Sequence, residues 1–214
     1  MITVEQLTYN PFQENTFLVY DETNDCVVID PGMYTQEEER TSFENLIEEK
    51  ELRLVKLIST HSHLDHVFGN AFVAETYKLG LQIHKEDLQT LEMFDRTVDL
   101  YQIPNTQKSP MPSSYFEEGD KIEFGNSQLD IVFVPGHAPG HVAFIAHEEK
   151  FVINGDCLFY GSIGRTDLPG GNHNQLLESI RTKLFTLGDD YKIYCGHGPA
   201  TTIGFEKENN SFLK

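Results

Sequence analysis

The hexapeptide His61-Ser62-His63-Leu64-Asp65-His66 follows an apolar run and places four metal-binding side chains within six positions. Alternate side chains of an extended segment point to the same side, so His61 and His63 can hold one ion together. Asp65 and His66 lie past the turn, near the start of the next predicted helix, and can reach a second ion. A solvated loop with chance histidines is the alternative, which three histidines and an aspartate in six positions disfavour.

Three further polar residues follow strand-like apolar runs later in the chain. They are His137 after Val132 to Val134, Asp156 after Phe151 to Ile153, and His197 after Ile193 to Cys195. Each is preceded directly by a glycine, which lets the backbone turn sharply. Loops that leave one edge of a sheet are where folds commonly place ligands and catalytic groups. Asp30, after Val27 to Ile29, follows the same pattern.

These four segments together predict a site for two metal ions. One ion is assigned to His61, His63 and a histidine of the segment Pro135 to His141, in which the residues alone do not separate His137 from His141. The second ion is assigned to Asp65, His66 and His197. Asp156 is expected to bridge the two ions, because a carboxylate has two oxygens to share.

The expected cofactor is a pair of divalent ions, with zinc first and iron or manganese as alternatives, since imidazole and carboxylate suit all three metals. Seven candidate ligands exceed the four that close a structural zinc site. Two such ions lower the pKa of a shared water from about 15.7 towards about 7 and polarise a carbonyl group. A bridging hydroxide of this kind would hydrolyse an acyl or phosphoryl group. Asp65 is a candidate for proton handling.

The leaving group narrows the expected substrate. An amide nitrogen needs a proton before it departs, whereas a thiol, with a pKa of about 8.5, leaves as the thiolate without one. All motif carboxylates are already assigned to metal. A good leaving group such as a thiolate is therefore favoured.

The bulk properties favour one acidic domain spanning residues 1–214, because the chain has 214 residues and no linker-like stretch. Its formal charge of −18 disfavours nucleic-acid partners. No apolar run approaches the roughly 20 residues of a membrane span, and residues 1–5 lack signal-peptide features.

Three cysteines without regular spacing suit a reducing compartment. A cytoplasmic protein without membrane partners is expected, and its oligomeric state is not readable.

Apolar patterning predicts alternating strands and helices. Strands are predicted at Thr16 to Tyr20, Cys26 to Ile29, Leu54 to Ser59, Leu81 to His84, Lys121 to Phe124, Leu129 to Val134, Val142 to Ala146 and Phe151 to Asn154, with a last strand at Tyr191 to Cys195. Helices are predicted at Gln36 to Leu52, Ala71 to Leu79 and Lys85 to Asp99, with a last helix at Asn174 to Leu187. The first two strands are expected to form a hairpin.

The segment Thr60 to His66 resembles the signature of the metallo-β-lactamase superfamily, and Gly136-His137, Gly155-Asp156 and Gly196-His197 match its other ligand motifs in order. The resemblance covers nearly the whole chain. It implies an α/β fold in four layers, an αβ/βα sandwich with two sheets face to face and helices outside. It also places the ligand at His137. His141 is then expected to support the site or to pack. His173 lacks a motif context, and its place just before the last predicted helix offers only a cap or a position lining the site.

Asp156-Cys157-Leu158-Phe159 and the segment Gly161 to Gly171 resemble the short bacterial glyoxalase II-like hydrolases. The resemblance implies cleavage of a thioester such as S-D-lactoylglutathione. It also places Arg165 where the long form has a lysine that contacts glutathione, although a loop salt bridge explains this arginine equally well. The chain departs from the long form in ending 17 residues after His197 (197 to 214) and in having Pro199 where an aromatic residue is expected. Glutathione as the carrier is thus only partly supported.

Other activities remain open on the same fold. A mononuclear iron persulfide dioxygenase is the main alternative, because it resembles the chain too, including Gly164 to Asp167. Asp65, His66 and His197 favour two metals over one. A nuclease is disfavoured by the acidic balance, and an exported β-lactamase by the start of the chain.

Overall fold

Two six-stranded sheets lie at the centre of the protein, in a computed structural model that describes residues 1–34 and 38–214. The first sheet has the order β1-β2-β3-β4-β5-β6, with β1 Thr3–Tyr9, β2 Glu14–Tyr20, β3 Asp25–Ile29, β4 Arg53–Ile58, β5 Leu81–His84 and β6 Ser114–Phe116. The second has the order β14-β13-β10-β9-β8-β7, with β7 Lys121–Phe124, β8 Ser127–Phe133, β9 Val142–Ala146, β10 Phe151–Ile153, β13 Lys192–Tyr194 and β14 Thr201–Thr202. A small hairpin, β11 Leu158–Phe159 with β12 Ser162–Ile163, stands apart from both sheets.

Alternation along the strands builds the core between the sheets. In β2, Phe17 and Val19 face the second sheet, whereas Leu18 between them faces the opposite side. The second sheet contributes Ile131 and Phe144 to the same interior layer. All five side chains are almost completely buried. Both faces of the central strands are therefore apolar, which requires a further layer on each outer side.

Helices supply those outer layers. The first sheet is covered by α1 Glu38–Glu49, α2 Asn70–Tyr77, α3 Leu88–Glu92 and α4 Phe94–Tyr101. The second is covered by α5 His173–Ser179, a π-helical turn at Ile180–Leu184, and α6 Ile203–Asn209. The four-layer αβ/βα sandwich predicted from the sequence is confirmed.

Several element predictions need correction. The predicted hairpin is confirmed, since β2 and β3 pair antiparallel. The predicted start of the first helix, Gln36, lies outside the described residues. The helix expected at Lys85 to Asp99 is a short 3-10 turn followed by α3 and α4. The strand at Tyr191 to Cys195 and the helix at Asn174 to Leu187 were predicted to be the last strand and helix of the chain. This is wrong, because β14 and α6 follow them. β1 was missed although all seven of its residues pair with β2.

Two smaller sequence features are also placed by the fold. His173 is the exposed first residue of α5, and the capping side chain is that of Asn172, which accepts a hydrogen bond from the Gln175 amide. All three cysteines are buried free thiols. Within residues 1–34 and 38–214, no helix combines the length and apolar character that crossing a bilayer demands.

Asp21 connects turns of the two sheets. Its side chain is 2% exposed and accepts hydrogen bonds from the Thr23 amide (2.9 Å), the Thr23 hydroxyl (2.6 Å), the Asn126 amide (2.7 Å) and the Ser127 hydroxyl (2.8 Å). Burial opposes ionisation, but these bonds outweigh it and lower the pKa of Asp21 to about 2. The carboxylate therefore stabilises the fold above its unfolded pKa, and this contribution is lost as pH falls through about 2.

Asp21→Asn is expected to lower the free energy of unfolding by about 2 kcal/mol at pH 7, the scale of hydrogen bonds to a buried charge. The difference from the parent should shrink as pH falls from about 4 towards 2, because the parent then protonates. Urea denaturation at several pH values measures both effects. Glu123→Gln, an exposed change in β7 beside the same contact, serves as control. An equal loss at neutral and acid pH would contradict the role assigned to the charge.

Candidate metal centre

The loops that follow four strands meet at one edge of the sandwich. His61, His63, Asp65 and His66 follow β4, and His137 follows β8. Asp156 follows β10 and His197 follows β13. All seven residues predicted as ligands are therefore brought together, although their segments are separated by up to 136 positions (61 to 197) in the chain.

One group of donors contains His61, His63 and His137, whose ligand atoms lie within 4.8 Å of one another. Nδ1 of His63 is 2.9 Å from Nε2 of His137. The ring centroids of His61 and His137 are 4.9 Å apart. His61 and His137 are almost completely buried. Three imidazoles thus converge on one point.

A second group contains Asp65, His66 and His197, again with ligand atoms within 4.8 Å of one another. Oδ2 of Asp65 is 3.2 Å from Nε2 of His197 and 3.9 Å from Nε2 of His66. His66 is fully buried, whereas the side chain of His197 is 26% exposed. The centre is therefore open to solvent on the side of His197.

Asp156 lies between the two groups. Its Oδ1 is 3.3 Å from Nε2 of His66. Its Oδ2 is 3.5 Å from Nε2 of His137 and 3.4 Å from Nε2 of His197. One carboxylate thus contacts members of both groups, at the position from which a bridging ligand would act.

Four of the five histidines are held at Nδ1 by an oxygen atom. The partners are the hydroxyl of Thr60 for His61 (3.0 Å), the carboxylate of Asp30 for His66 (3.1 Å), the carbonyl of Arg165 for His137 (2.7 Å) and the carbonyl of Phe12 for His197 (3.0 Å). Each bond leaves Nε2 directed towards the interior of the group. Histidines that bind metals are oriented in this way by a partner on the outer ring nitrogen.

Three of the inner atoms are buried and make no hydrogen bond in the described part of the chain, namely Nε2 of His61, Nε2 of His66 and Oδ1 of Asp156. The last two face each other at 3.3 Å without forming one. Buried polar atoms ordinarily make a hydrogen bond, and leaving such an atom without one costs about 1–3 kcal/mol. Divalent metal ions fit these atoms, because nitrogen and oxygen donors at this spacing are the ligands that zinc, iron and manganese accept.

Electrostatics divides the donors into two kinds. Burial, followed by neighbouring imidazoles, lowers the pKa of His61 well below its ordinary value and that of His63 to about 3. Burial also opposes the charge on His197, but Asp156 and Asp65 outweigh it and raise the pKa of His197 to about 10. Burial works against an ionised Asp156, yet His66 and His197 hold the pKa of this carboxyl well below its usual range. Ligation requires neutral imidazole, so metal binding would release protons from the second group.

Comparison with known proteins identifies the family. The model of the metallo-beta-lactamase superfamily matches residues 9–197. The chain belongs to this superfamily. It is 39% identical over 216 residues to hydroxyacylglutathione hydrolase GloC of Haemophilus influenzae, covering 99% of this chain and 98% of that protein.

Solved structures agree with the superfamily. TTHA1623 in a di-iron-bound form has a TM-score of 0.88 and 36% identity, covering 98% of this chain and 100% of the other. The BLEG-1 B3 metallo-beta-lactamase has a TM-score of 0.89 and 28% identity, covering 99% and 100%. The similarity therefore extends along the whole chain rather than over the metal motifs alone.

Two glycines allow the loops of Asp156 and His197 to lie close together. Gly155 has φ +48°, a conformation that side chains with a Cβ disfavour, and it turns the chain directly before Asp156. A Cβ on Gly196 would lie 2.2 Å from Oδ1 of Asp156. The first glycine aims the carboxylate, and the second lets the loop of His197 pass beside it.

Asp30 lies at the site but was not among the predicted ligands. In the sequence, it was marked only by following a strand-like run. It is fully buried, with a left-handed φ of +50°. Its oxygens accept hydrogen bonds from the amide and the hydroxyl of Thr60 (both 2.6 Å), and Oδ2 is 3.1 Å from Nδ1 of His66. Its donor atom lies within 4.8 Å of those of His61 and His66. Because both oxygens are already engaged, Asp30 orients His66 and the chain before His61.

Glu14 is a second missed residue. It is completely buried, and its Oε1 lies 3.8 Å from Nδ1 of His66 and has no hydrogen-bond partner among the described residues. Burial raises the pKa of Glu14 well above its usual value, against the opposing effect of His66. Glu14 is the first residue of β2 and stands beside other polar residues, so no sequence pattern marks it as buried. Only the packing of β2 against the hexapeptide brings it to the site.

His141 and Arg165 take positions beside the candidate ligands. The His141 ring is fully buried, and its Nε2 accepts a hydrogen bond from the Asp156 amide (3.3 Å). Arg165 contributes its carbonyl to His137, while its guanidinium forms two bonds to Asp167, at 2.7 and 2.8 Å. The loop salt bridge considered for this arginine therefore exists, at exposed side chains.

Proposed function

We propose that this metallo-hydrolase binds two divalent ions and cleaves a thioester such as S-D-lactoylglutathione. The observation that carries the proposal is the position of Asp156, whose two oxygens contact both donor groups. A single-metal site would need only the first group.

The proposed ligands follow from the two donor groups. One ion would be held by His61, His63 and His137, the other by Asp65, His66 and His197, with Asp156 shared. When bound, the ions supply an activated water and stabilise negative charge on a carbonyl oxygen. Zinc is proposed first; iron is the other candidate, since the similar structure TTHA1623 is described as di-iron-bound.

The protonation state of Asp65 supports a thiolate leaving group. Burial opposes its charge, but His66 and His197 outweigh burial and lower the pKa of Asp65. Its carboxylate therefore stays ionised at neutral pH and holds no proton to donate to a departing amine. Glu14 is fully buried, its Oε2 accepts a hydrogen bond from the Thr16 hydroxyl and its Oε1 faces His66, so it is not placed to protonate a leaving group. A thiolate departs without a proton, as hydrolysis of a thioester requires.

The substrate is proposed to be a small molecule rather than a nucleic acid or a membrane surface. The name of the 39% identical relative supports a hydroxyacyl thioester of glutathione. The formal charge of −18 opposes approach of a phosphate backbone. Arg165 lies next to His137 through its carbonyl, where its side chain can reach an anionic thiol carrier.

Metal content per chain, measured together with hydrolysis of S-D-lactoylglutathione on the same sample, tests the proposal. About two ions and thioester cleavage are expected. A β-lactam and a glutathione persulfide are the comparison substrates, the latter with oxygen uptake as the readout. One iron per chain with oxygen consumption and no thioester cleavage would replace the hydrolase by a persulfide dioxygenase.

The Arg165–Asp167 pair leads to a prediction on carrier charge. Because Asp167 competes for the guanidinium, Asp167→Asn should lower KM for an anionic glutathione thioester by about threefold, the scale of an exposed ion pair. Arg165→Ala should raise that KM more than it lowers kcat. Steady-state kinetics on the glutathione thioester and on a neutral N-acetylcysteamine thioester separates charge from general damage. Equal changes on both substrates would remove Arg165 and Asp167 from substrate recognition.

A further inference from the structure

The hairpin β11–β12 and the residues that follow it contact three of the candidate ligands. This segment, Leu158 to Arg165, is called the mouth hairpin. Its Phe159 ring lies 6.1 Å from the ring of His197. Its last residue, Arg165, accepts the hydrogen bond from Nδ1 of His137 (2.7 Å). Displacement of the mouth hairpin would therefore move or release ligands of both donor groups.

The contact with the third ligand, Asp156, is a close packing of backbones. A Cβ on Gly164 would lie only 1.9 Å from the Asp156 carbonyl oxygen. The Gly164 amide also donates to the Cys157 carbonyl (3.3 Å). The mouth hairpin thus folds directly back onto the loop that carries the shared carboxylate.

The C-terminal helix α6 holds the mouth hairpin from the other side. Both carboxylate oxygens of Glu206 lie 3.1 Å from the Gly161 amide at the hairpin turn. Nδ2 of Asn210 donates to the Ser162 carbonyl (3.0 Å). The rings of Tyr160 and Phe205 stack at 4.7 Å with an interplanar angle of 14°. The turn of the hairpin is therefore tied to α6 by polar and aromatic contacts.

Glu206 and Asn210 are the buried anchors, and neither has exposed surface. The contacts of Glu206 are the more extensive. Besides the Gly161 amide, its oxygens accept hydrogen bonds from the Thr201 hydroxyl (2.6 Å) and the Asn210 amide group (2.8 Å). No cationic side chain pairs with it within 4.0 Å in the described part of the chain. Burying a carboxylate is costly unless hydrogen bonds compensate. The charge of Glu206 therefore depends on keeping its donors, the hairpin amide among them, in place.

We propose that Glu206 is a positioning residue of the metal centre, which fixes the mouth hairpin and through it the candidate ligands His137, Asp156 and His197. The inference rests on the proposed metal centre. It assigns a role to a segment beyond residues 9–197, the range that the superfamily shares. It also gives a role to part of the segment that follows His197.

Glu206→Gln tests this role with little change of shape. The new amide group must face at least one donor, so the bond to Gly161 weakens and the mouth hairpin loosens. Amide hydrogen exchange at Gly161 and Ser162 in the metal-free protein should accelerate. Zinc affinity, measured by competition with a chelator, should fall about tenfold, as for other residues that orient ligands. The visible spectrum of the cobalt-substituted protein should shift.

Controls separate positioning from general damage. Glu208→Gln makes the same charge change at an exposed site of the same helix and should alter none of the readouts. Ile203→Ala removes a buried side chain of α6 and should lower the melting temperature without changing the cobalt spectrum. Tyr160→Ala, at a 54% exposed side chain, should act like Glu206→Gln but more weakly, and it provides a second test if Glu206→Gln does not fold.

The outcomes are distinguishable. Unchanged exchange and zinc affinity in Glu206→Gln, with normal zinc binding by the parent, would overturn the inference alone. Equal effects of Glu206→Gln and Ile203→Ala on the cobalt spectrum would reduce Glu206 to a structural role and overturn it too. A parent chain that binds no zinc, iron or manganese would overturn the metal centre itself, and the inference with it.

Discussion

Asp156→Ala is expected to remove both metal ions and to lower kcat/KM for the thioester by about 10³-fold or more. The carboxylate contacts His66 through one oxygen and His137 and His197 through the other. Its loss would take one donor from each proposed ion. The charge stabilisation that metals supply is worth several kcal/mol, and each 1.36 kcal/mol is a factor of ten in rate.

Metal analysis of purified Asp156→Ala, with circular dichroism to check the fold, measures this effect. Asp190→Ala, an exposed aspartate paired with Lys150, is the matched control and should keep two ions. A variant that lost one ion and kept the other at parental affinity would show that Asp156 belongs to a single site.

His137→Ala and His141→Ala are expected to differ sharply, although the two rings are only 5.8 Å apart. His137 belongs to the first donor group, so its loss should remove about one ion per chain and most activity. His141 belongs to neither group and accepts a hydrogen bond from the Asp156 amide. Its loss should leave two ions, bound about tenfold more weakly, because it supports a ligand from behind.

Zinc titration of both variants with a competing chelator, followed by kinetics at saturating zinc, measures the contrast. Excess zinc should restore activity to His141→Ala but not to His137→Ala. Restoration of His137→Ala, with lasting loss in His141→Ala, would reverse the assignment within the segment Pro135 to His141. Both rings are buried, so each substitution leaves a cavity of the same kind. A difference between the two variants is therefore not due to the cavity.

The seven candidate ligands were readable from the sequence because their signal is local. The hexapeptide after β4 concentrates four of them, and the strand ends mark the others by a glycine directly before a polar side chain. The sandwich was implied by the resemblance to the superfamily, and strand alternation agrees with it, since Phe17 and Leu18 face opposite sides of β2. Such patterns depend only on neighbours along the chain.

Other features had no local signal. β1 has exposed and half-buried residues and no apolar run, so only its pairing with β2 identifies it. The break between α3 and α4 depends on packing against the first sheet. Glu14 and Glu206 are polar residues that read as solvent-exposed in sequence, yet both are completely buried.

The sequence by itself determined the donor types, the order of candidate ligands along the chain and most strands and helices, because periodicity and residue chemistry are local properties. The layered arrangement of those elements followed from the resemblance to the superfamily. The tertiary structure decided how those donors are oriented. The partners of the outer ring nitrogens include carbonyls of Phe12 and Arg165, which any residue type supplies and no sequence pattern marks. The tertiary structure also decided that α6 lies against the mouth hairpin. Gly161 and Glu206 are 45 positions apart in the chain, and they come into contact only once the sheets have packed.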